Sequence, residues 1–269
     1  MSQALPLIMG ILNLTPDSFS DGGHHAYGEA AVARGLAMVA AGADILDLGG
    51  ESTRPGSDPV SVGDEIARVV PVIKALRQAW DGVISIDTMK PQVARAAVEA
   101  GASLWNDVTA LTYAPDSLET AADLGCQLVL MHMRGEPKTM QDAPHYEDVV
   151  AEVAAELGAR AEAAMAAGVA RDKIWLDPGI GFAKTAAHNL TLTRHLDQLV
   201  DLGFPVLYAA SRKRVVQAVD PSATDPLDRL GGSLALALEG VRRGAAMVRV
   251  HDVRETVQAL KLQAAMATA

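Results

Sequence analysis

The sequence predicts a single-domain α/β protein of the (β/α)8 class, the TIM barrel, extending over residues 1–269. Seven times, a stretch with helical apolar spacing ends at a glycine, and a short run rich in Val, Ile and Leu follows. Such a glycine is typical of a helix end, and such a run is typical of a buried parallel strand. With the opening run LPLIMGILN this gives eight strands, each followed by a helical stretch, in a length that suits one barrel.

The predicted helices occupy residues 28–41, 62–79, 91–100, 116–124, 146–167, 186–201, 225–243 and 253–267. The glycines predicted to end helices are Gly42, Gly82, Gly101, Gly125, Gly168, Gly203 and Gly244. An open, doubly wound sheet is the alternative arrangement of such units. No G-x-G-x-x-G motif follows the first strand, which argues against a dinucleotide-binding sheet.

Composition and charge argue against two classes of partner. There are 33 acidic and 23 Lys or Arg residues, a net charge of -10, so the protein repels polyanions at long range. The three Trp, four Tyr and three Phe are too few for a surface that stacks on bases. We therefore expect neither nucleic acid nor a membrane as a partner.

The sequence also favours the cytoplasm. Cys126 is the single cysteine, so an internal disulfide is excluded and a reducing compartment fits. The N-terminal residues lack the charged and apolar regions of an export signal. No apolar run approaches the ~18 residues of a membrane span.

Polar side chains end every predicted strand, at the face where barrels of this class carry their active sites. They are Asn13, Glu51–Arg54, Asp87, Asn106 with Asp107, His132, Asp177, Ser211–Lys213, and Arg249 with His251. A barrel without a ligand would not need such a ring of polar groups. Two long loops on the same face, residues 15–28 and 51–63, are rich in Gly, Pro and Ser and are typical of lids or binding loops.

These side chains fall into three chemical groups. Asp87, Asn106 and Asp177 would accept hydrogen bonds from the N–H and amino groups of a neutral heterocycle. Asn13 offers a hard oxygen ligand of the kind that Mg²⁺ accepts beside water and a substrate phosphate. Basic side chains that suit a phosphate-bearing group are Arg54, Lys213, Arg249 and His251.

Some of these candidate site residues also have a purely structural interpretation. Asp87 could cap the helix that begins near Pro91, and Asp177 before Pro-Gly could start a turn. Lys213 could belong to a solvated helix start, although basic residues are unfavourable there. His132 follows an apolar strand and is interpreted as a buried core histidine outside the site.

Eight strings of the sequence resemble those of the dihydropteroate synthase family, in that family's order. They are MGILNLTPDSFSDGG, GGESTRPG, ISIDTMKP, NDV, LMHMRGEPKTMQ, DPGIGF, SRK and RVHDV. The resemblance covers nearly the whole chain, from Ile8 to about Glu255. The first two strings together are highly specific for this family. DPGIGF or RVHD alone would be weak evidence for it.

The resemblance implies a pterin-binding transferase of folate synthesis. Members of the family condense 6-hydroxymethyl-7,8-dihydropterin diphosphate with p-aminobenzoate, release pyrophosphate and form dihydropteroate. The resemblance also implies Mg²⁺ as cofactor, a homodimer, and inhibition by sulfonamides, which mimic p-aminobenzoate. Because the arylamine is largely unprotonated at pH 7, the reaction needs no strong general base.

Matched position by position, the resemblance implies a set of site residues. Those around the pterin are Asp87, Asn106, Met131, Asp177, Phe182 and Lys213. The others that contact substrate are Thr53, Ser211, Arg249 and His251, with Ser18, Phe19, Asp21 and Arg54 on the mobile loops. The catalytic residues are Asp87, Lys213, Arg249 and His251, and the Mg²⁺ ligand is Asn13.

Two positions depart from the pattern of many family members. Ala209 stands where many have glycine, which puts a methyl group close to the expected pterin pocket. Arg214 stands where many have a small residue that holds the p-aminobenzoate carboxylate, so it either binds that carboxylate or points to solvent.

Two other functions are compatible with a pterin-binding barrel. One is a corrinoid-linked methyltetrahydrofolate methyltransferase, a pterin-binding barrel that would not need the diphosphate cluster or GGESTRPG. The other is a non-catalytic pterin-binding paralogue, which would require damaged loops, and both loops are intact in the sequence.

Overall fold

The structure is a computed structural model that describes residues 5–15, 24–52, 58–135 and 140–268. Its strands are β1 (Leu7–Asn13), β2 (Ile45–Gly49), β3 (Val83–Asp87), β4 (Leu104–Asp107), β5 (Gln127–Met131), β6 (Ile174–Asp177), β7 (Leu207–Tyr208) and β8 (Met247–Val250). The strands form one sheet in the order β6-β5-β4-β3-β2-β1-β8-β7. Every strand pair in it is parallel.

The sheet closes between β6 and β7, the strands at the two ends of this order. Leu176 of β6 forms a parallel bridge with Val206, just before β7, and its N–H donates to the carbonyl of Pro205 over 3.0 Å. Closure leaves no open edge, so the predicted (β/α)8 barrel is confirmed and the open sheet is not what forms.

Helices follow the strands and surround the barrel. They are α1 (His24–Ala40), α2 (Val62–Ala79), α3 (Pro91–Ala100), α4 (Ser117–Leu124), α5 (Val149–Ala166), α6 (Ala186–Arg194), α7 (Asp197–Val200), α8 (Arg214–Val219), α9 (Leu230–Arg242) and α10 (Val253–Thr268). Short 3₁₀ turns span Arg171–Lys173 and Pro226–Arg229. No helix within the described ranges is long and apolar enough to cross a membrane.

The predicted helices agree with the observed ones to within a few residues, with four corrections. α1 begins at His24 rather than at residue 28, so the loop before it is shorter than predicted. The stretch 186–201 is two helices, since α6 ends at Arg194 and α7 follows at Asp197. α8 was not predicted, because six residues are too few to show a helical period.

The fourth correction concerns Gly82. α2 ends at Ala79, the residue that caps it is Trp80 with an extended backbone (φ -155°), and Gly82 is not left-handed. A Cβ on Gly82 would lie 2.0 Å from the Trp80 ring, so this glycine makes room for an indole and does not end the helix. The other six predicted glycines do have positive φ.

An apolar floor fills the barrel interior below the site. Six buried residues, each from a different strand, form one cluster: Met9, Ile45, Leu104, Val129, Leu207 and Met247. Side chains alternate along a strand, so residues two positions further on point to the same side. On five of these strands that next inward residue is Asp47, Asn106, Met131, Ala209 or Arg249. The interior therefore changes from apolar to polar within one step on β2, β4 and β8, whereas the next residues on β5 and after β7 remain apolar.

Candidate active site

A cavity lies above this floor, at the C-terminal ends of the strands. It is lined by Asp87, Asn106, Val108, Met131, Asp177, Phe182, Ala209, Lys213 and Arg249. All six residues implied to surround a pterin lie in this set, together with Arg249. Ala209 lies there too, which places its methyl group on the cavity as expected. The cavity thus combines buried hydrogen-bonding groups with a thioether and an aromatic ring.

Asp87 presents an unsatisfied acceptor in this cavity. Its Oδ2 accepts from Nη2 of Arg249 over 2.6 Å, while Oδ1 is buried without a partner in the described part of the chain. Burial raises the pKa of Asp87 to about 7, although the Arg249 guanidinium acts to lower it. The residue that caps α3 is Lys90, so Asp87 is not the helix cap. A buried acceptor without a partner is costly unless a ligand supplies the donor.

Asp47 was missed by the sequence analysis. Its side chain is 0% exposed, and its Oδ2 accepts from Nε of Arg249 over 2.6 Å. Oδ2 also accepts from Nδ2 of Asn106 over 3.3 Å, and Oδ1 accepts from Oγ of Ser85 over 2.5 Å. The feature of the sequence that could have indicated it is a lone carboxylate inside the apolar run ILDLG. It stands two residues before the end of β2, whereas the prediction considered only the residues after that end.

Asp177 combines the two roles that the sequence left open. Its Oδ1 accepts from the N–H of Gly179 over 2.7 Å, so it does start the turn after β6. It also lines the cavity, and burial raises its pKa while Lys213 and the Gly179 N–H lower it. Gly179 has a φ of +67°, and a Cβ there would lie 2.0 Å from the carbonyl oxygen of His132. The turn therefore requires glycine at this position.

Lys213 extends its ammonium over an aromatic ring of the cavity. Nζ lies 4.7 Å from the centre of the Phe182 ring and donates to the carbonyl of Ile180. Burial lowers the pKa of Lys213 to about 8, although Asp177 acts to raise it. Gly181 leaves room for the lysine stem, since a Cβ there would lie 3.1 Å from Cδ of Lys213. Lys213 is thus a cation within the site and not a solvated helix start.

The neighbouring Arg212 orients Lys213 through the backbone. Its φ of +59° is left-handed, which is unusual for a residue other than glycine. The turn is held by Oγ of Ser233, which accepts from the Arg212 N–H over 2.8 Å, and by an ion pair with Asp252. Arg229 donates to the Arg212 carbonyl over 3.1 Å. These contacts fix the turn that carries the SRK string.

Ser211 and His251 contact each other. The hydroxyl Oγ of Ser211 lies 3.0 Å from Nδ1 of His251 and accepts from the His251 N–H over 3.2 Å. Neither residue lines the cavity itself. His251 follows Arg249 by two residues at the end of β8, so the pair continues one face of that strand.

His132 is a buried histidine with partners, as interpreted. It is 3% exposed; Nε2 lies 3.0 Å from Oε2 of Glu156 and Nδ1 lies 2.9 Å from Nζ of Lys184. Burial and the Lys184 charge lower the pKa of His132 to about 4. The imidazole is therefore neutral at pH 7 and supports the turn after β6 from behind.

The loop between β2 and α2 is anchored at both ends. Glu51 Oε1 accepts from the Val60 N–H over 2.9 Å, and Glu51 Oε2 accepts from Nζ of Lys90 over 2.8 Å. Lys90 also donates to Glu65 over 2.6 Å and to the Val60 carbonyl over 2.7 Å. Five predicted site residues lie outside the described residues: Ser18, Phe19, Asp21, Thr53 and Arg54.

Asn13 is the last residue of β1 and is half-buried. No cluster of three or more His, Cys, Asp or Glu in the described ranges could hold a metal ion. A single amide oxygen fits Mg²⁺, which keeps several waters and commonly binds through one or two protein oxygens plus substrate phosphates. The donor set thus fits an ion that is bound together with a diphosphate.

Comparison with known proteins agrees with this geometry. A family model described as pterin binding enzyme matches residues 9–251. The dihydropteroate synthase of Escherichia coli (strain K12) is 46% identical over 257 residues, which cover 96% of this chain and 90% of that protein. The chain belongs to the dihydropteroate synthases. The predictions of the family, the barrel and a transferase of folate synthesis are therefore confirmed.

Solved synthases share the whole fold. A Xanthomonas albilineans dihydropteroate synthase with 4-aminobenzoic acid has a TM-score of 0.92 and 49% identity, and the match covers 98% of this chain and 94% of that one. A Yersinia pestis dihydropteroate synthase in complex with a sulfonamide drug has a TM-score of 0.92 and 44% identity, covering 98% and 95%. The barrel is thus that of the solved synthases.

Proposed function

We propose that this cavity binds 6-hydroxymethyl-7,8-dihydropterin diphosphate and transfers its pterinylmethyl group to the amine of p-aminobenzoate. The observation that carries the proposal is that three hydrogen-bonding side chains, Asp87, Asn106 and Asp177, share one cavity with the guanidinium of Arg249. The first three suit the donor-rich edge of a pterin, and Arg249 suits a diphosphate.

The pterin edge is bound by the two carboxylates and the amide. Asp87 Oδ1 has no partner in the described part of the chain, so a ring N–H or amino group of the pterin would satisfy it. Lys213 and Phe182 already lie on one side of the cavity, with Nζ 4.7 Å from the ring centre, and would contact the flat face of the heterocycle. Met131 is 4% exposed and provides an apolar wall.

The diphosphate is bound by Arg249 and His251, with Asn13 as the protein ligand of Mg²⁺. Arg249 uses Nε and Nη2 for Asp47 and Asp87, so its remaining N–H groups are available for phosphate oxygens. When bound, Mg²⁺ would neutralise charge on the leaving pyrophosphate. The chain as a whole carries a net charge of -10, so it needs basic side chains concentrated at the site to bind an anion. The cations next to the cavity meet that need.

In the transfer step the C–O bond between the pterin methylene and the diphosphate breaks, and pyrophosphate leaves with the electron pair. The amine nitrogen of p-aminobenzoate forms the new C–N bond and releases a proton to water. Positive charge that develops on the pterin is stabilised by the nearby carboxylates of Asp87 and Asp177. The aromatic amine is neutral at pH 7, so no protein base has to activate it.

We also propose a homodimer in the cytoplasm. The homodimer is what membership of the family implies, and Val219 at the end of α8 and Leu227 in the turn after it, each 66% exposed, are apolar side chains that a partner subunit could cover. Cys126 is half-buried and unpaired, which fits a reducing compartment. Sedimentation velocity should give twice the mass of one chain, and a monomer at micromolar concentration would contradict the dimer.

The reaction is tested by product analysis. Purified protein with dihydropterin diphosphate, p-aminobenzoate and Mg²⁺ should form dihydropteroate, and chelation of Mg²⁺ should suppress it. A parallel incubation with methyltetrahydrofolate and a corrinoid protein tests the methyltransferase and should yield nothing. Methyl transfer without dihydropteroate formation would reverse the assignment.

A further inference from the structure

Asp47 lies one layer below the cavity and contacts two of the residues that line it. Its carboxylate is completely buried and is not among the groups that line the cavity, so it acts on the site through the residues it contacts. Oδ2 accepts from Nε of Arg249 over 2.6 Å and from Nδ2 of Asn106 over 3.3 Å. We infer that Asp47 is a positioning residue for the synthase reaction: it holds Arg249 and Asn106 in the orientation that meets the pterin diphosphate.

The partners of Asp47 come from three different strands. Ser85 lies opposite Asp47 in the β2–β3 register and donates to its Oδ1 over 2.5 Å. Asn106 belongs to β4 and Arg249 to β8. A single carboxylate therefore ties the middle of the site together across β2, β3, β4 and β8, directly above the apolar floor. A fully bonded buried polar group restricts its partners to one arrangement.

The charge of Asp47 also divides Arg249 between two carboxylates. Arg249 gives Nε to Asp47 and Nη2 to Asp87, each over 2.6 Å. With Asp47 present, Arg249 is held through Nε, and its terminal Nη atoms face Asp87 and the cavity. Without that charge, Arg249 would pair with Asp87 alone, which would turn the guanidinium away from a diphosphate and occupy an acceptor needed by the pterin.

This arrangement has a consequence for protonation. The charged groups that act on Asp87 are Asp47, Glu65, Asp107, Lys213 and Arg249. The negative charge of Asp47 helps to raise the pKa of Asp87, and Arg249 lowers it. Neutralising Asp47 removes the first effect and strengthens the second. Both changes lower the pKa of Asp87.

The test is Asp47→Asn, which keeps the shape and an acceptor for Ser85 but removes the charge. We expect KM for the dihydropterin diphosphate to rise about ten- to a hundredfold, because a misplaced guanidinium no longer meets the phosphates. KM for p-aminobenzoate should stay within about twofold, since Asp47 acts only on the pterin side. The acid limb of pterin binding should move to lower pH.

Asp44→Asn is the matched control. Asp44 immediately precedes β2, at the end of the barrel opposite the cavity, and its Oδ2 accepts from the Ile8 N–H over 2.8 Å. Its substitution should change neither KM nor the pH profile. If Asp47 only stabilised the fold, Asp47→Asn would lower the melting temperature without moving the KM of one substrate or the acid limb, and this would overturn the inference.

Ser85→Ala decides the matter if Asp47→Asn does not fold. It removes one donor to Asp47 and leaves every charge in place, so KM for the pterin diphosphate should rise a few-fold while KM for p-aminobenzoate stays the same. Unchanged kinetics in Ser85→Ala would then overturn the inference. The inference rests on the proposed role of Arg249, and wild-type activity is measured first: an inactive wild type would refute the proposed function, not the role of Asp47.

Discussion

Arg249 donates from Nη2 to Oδ2 of Asp87 over 2.6 Å. One ion pair therefore joins a residue assigned to the diphosphate with a residue assigned to the pterin. Since Arg249 acts to lower the raised pKa of Asp87, a change at the phosphate side alters protonation at the pterin side. The two halves of the substrate are recognised by coupled groups.

Arg249→Ala should lower the affinity for the dihydropterin diphosphate roughly tenfold or more, because a charge-assisted contact is lost. Near pH 7 the affinity for a pterin without phosphates should also fall, because Asp87 without its guanidinium protonates more readily. At pH 9 that second loss should be much smaller. Calorimetry with both ligands at both pH values checks this.

Arg243→Ala is the control for that series, since Arg243 pairs only with Glu239 on α9 among the described residues, over 2.8 Å. It should bind both ligands as the wild type does. If Arg249→Ala and the wild type bound the diphosphate substrate equally, the assignment of Arg249 would be wrong.

Asp177→Asn should weaken pterin binding roughly ten- to a hundredfold, the range for losing a hydrogen bond to a charged acceptor. The amide replaces one oxygen by a donor that meets the donors of the pterin edge. Calorimetric titration measures the affinity, with Asp201→Asn on the exposed end of α7 as the control. An unaltered dissociation constant in Asp177→Asn would exclude the role.

Pterin binding should have a narrow optimum in pH. Below about 7 Asp87 gains a proton and no longer accepts two hydrogen bonds, and above about 8 Lys213 loses the charge that contacts the ring. Binding should therefore weaken on both sides of the interval between these values. In Lys213→Arg the alkaline limb should disappear below pH 10, because guanidinium stays protonated. An affinity that is flat from pH 5 to pH 10 would refute both assignments.

Gly181→Ala should displace the Lys213 stem. Gly181 has a φ of +84°, where alanine costs roughly 1–2 kcal/mol, and the new methyl group would lie 3.1 Å from Cδ of Lys213. We expect lower stability and a severalfold weaker pterin affinity. Gly158→Ala is the control, since Gly158 lies within α5 with open space around its Cα, and alanine should stabilise that helix by about 1 kcal/mol.

The sequence predicted the barrel because its periodic signals are local. Helix-ending glycines such as Gly101, with a φ of +119°, and apolar strands of four or five residues recur along the chain. The strand ends then gave Asp87, Asn106 and Asp177, since the class of fold fixes which end carries the site. Elements shorter than two turns, such as α8, carry too little period to be recognised.

Contacts between distant strands could not be predicted in the same way. The pairing of Asp47 with Arg249 joins residues 202 positions apart, and nothing local to either residue indicates it. The left-handed Arg212 is likewise fixed by Ser233 and Asp252, which lie on later elements. These interactions depend on the pairing of the last strand with the first, which brings β8 beside β1.

The central claim is tested most directly by pyrophosphate release from dihydropterin diphosphate in the presence of Mg²⁺, with and without p-aminobenzoate. We predict release that depends on p-aminobenzoate and is matched mole for mole by dihydropteroate. Bound pterin without pyrophosphate release would contradict the account, because the cavity would then bind the first substrate without transferring it.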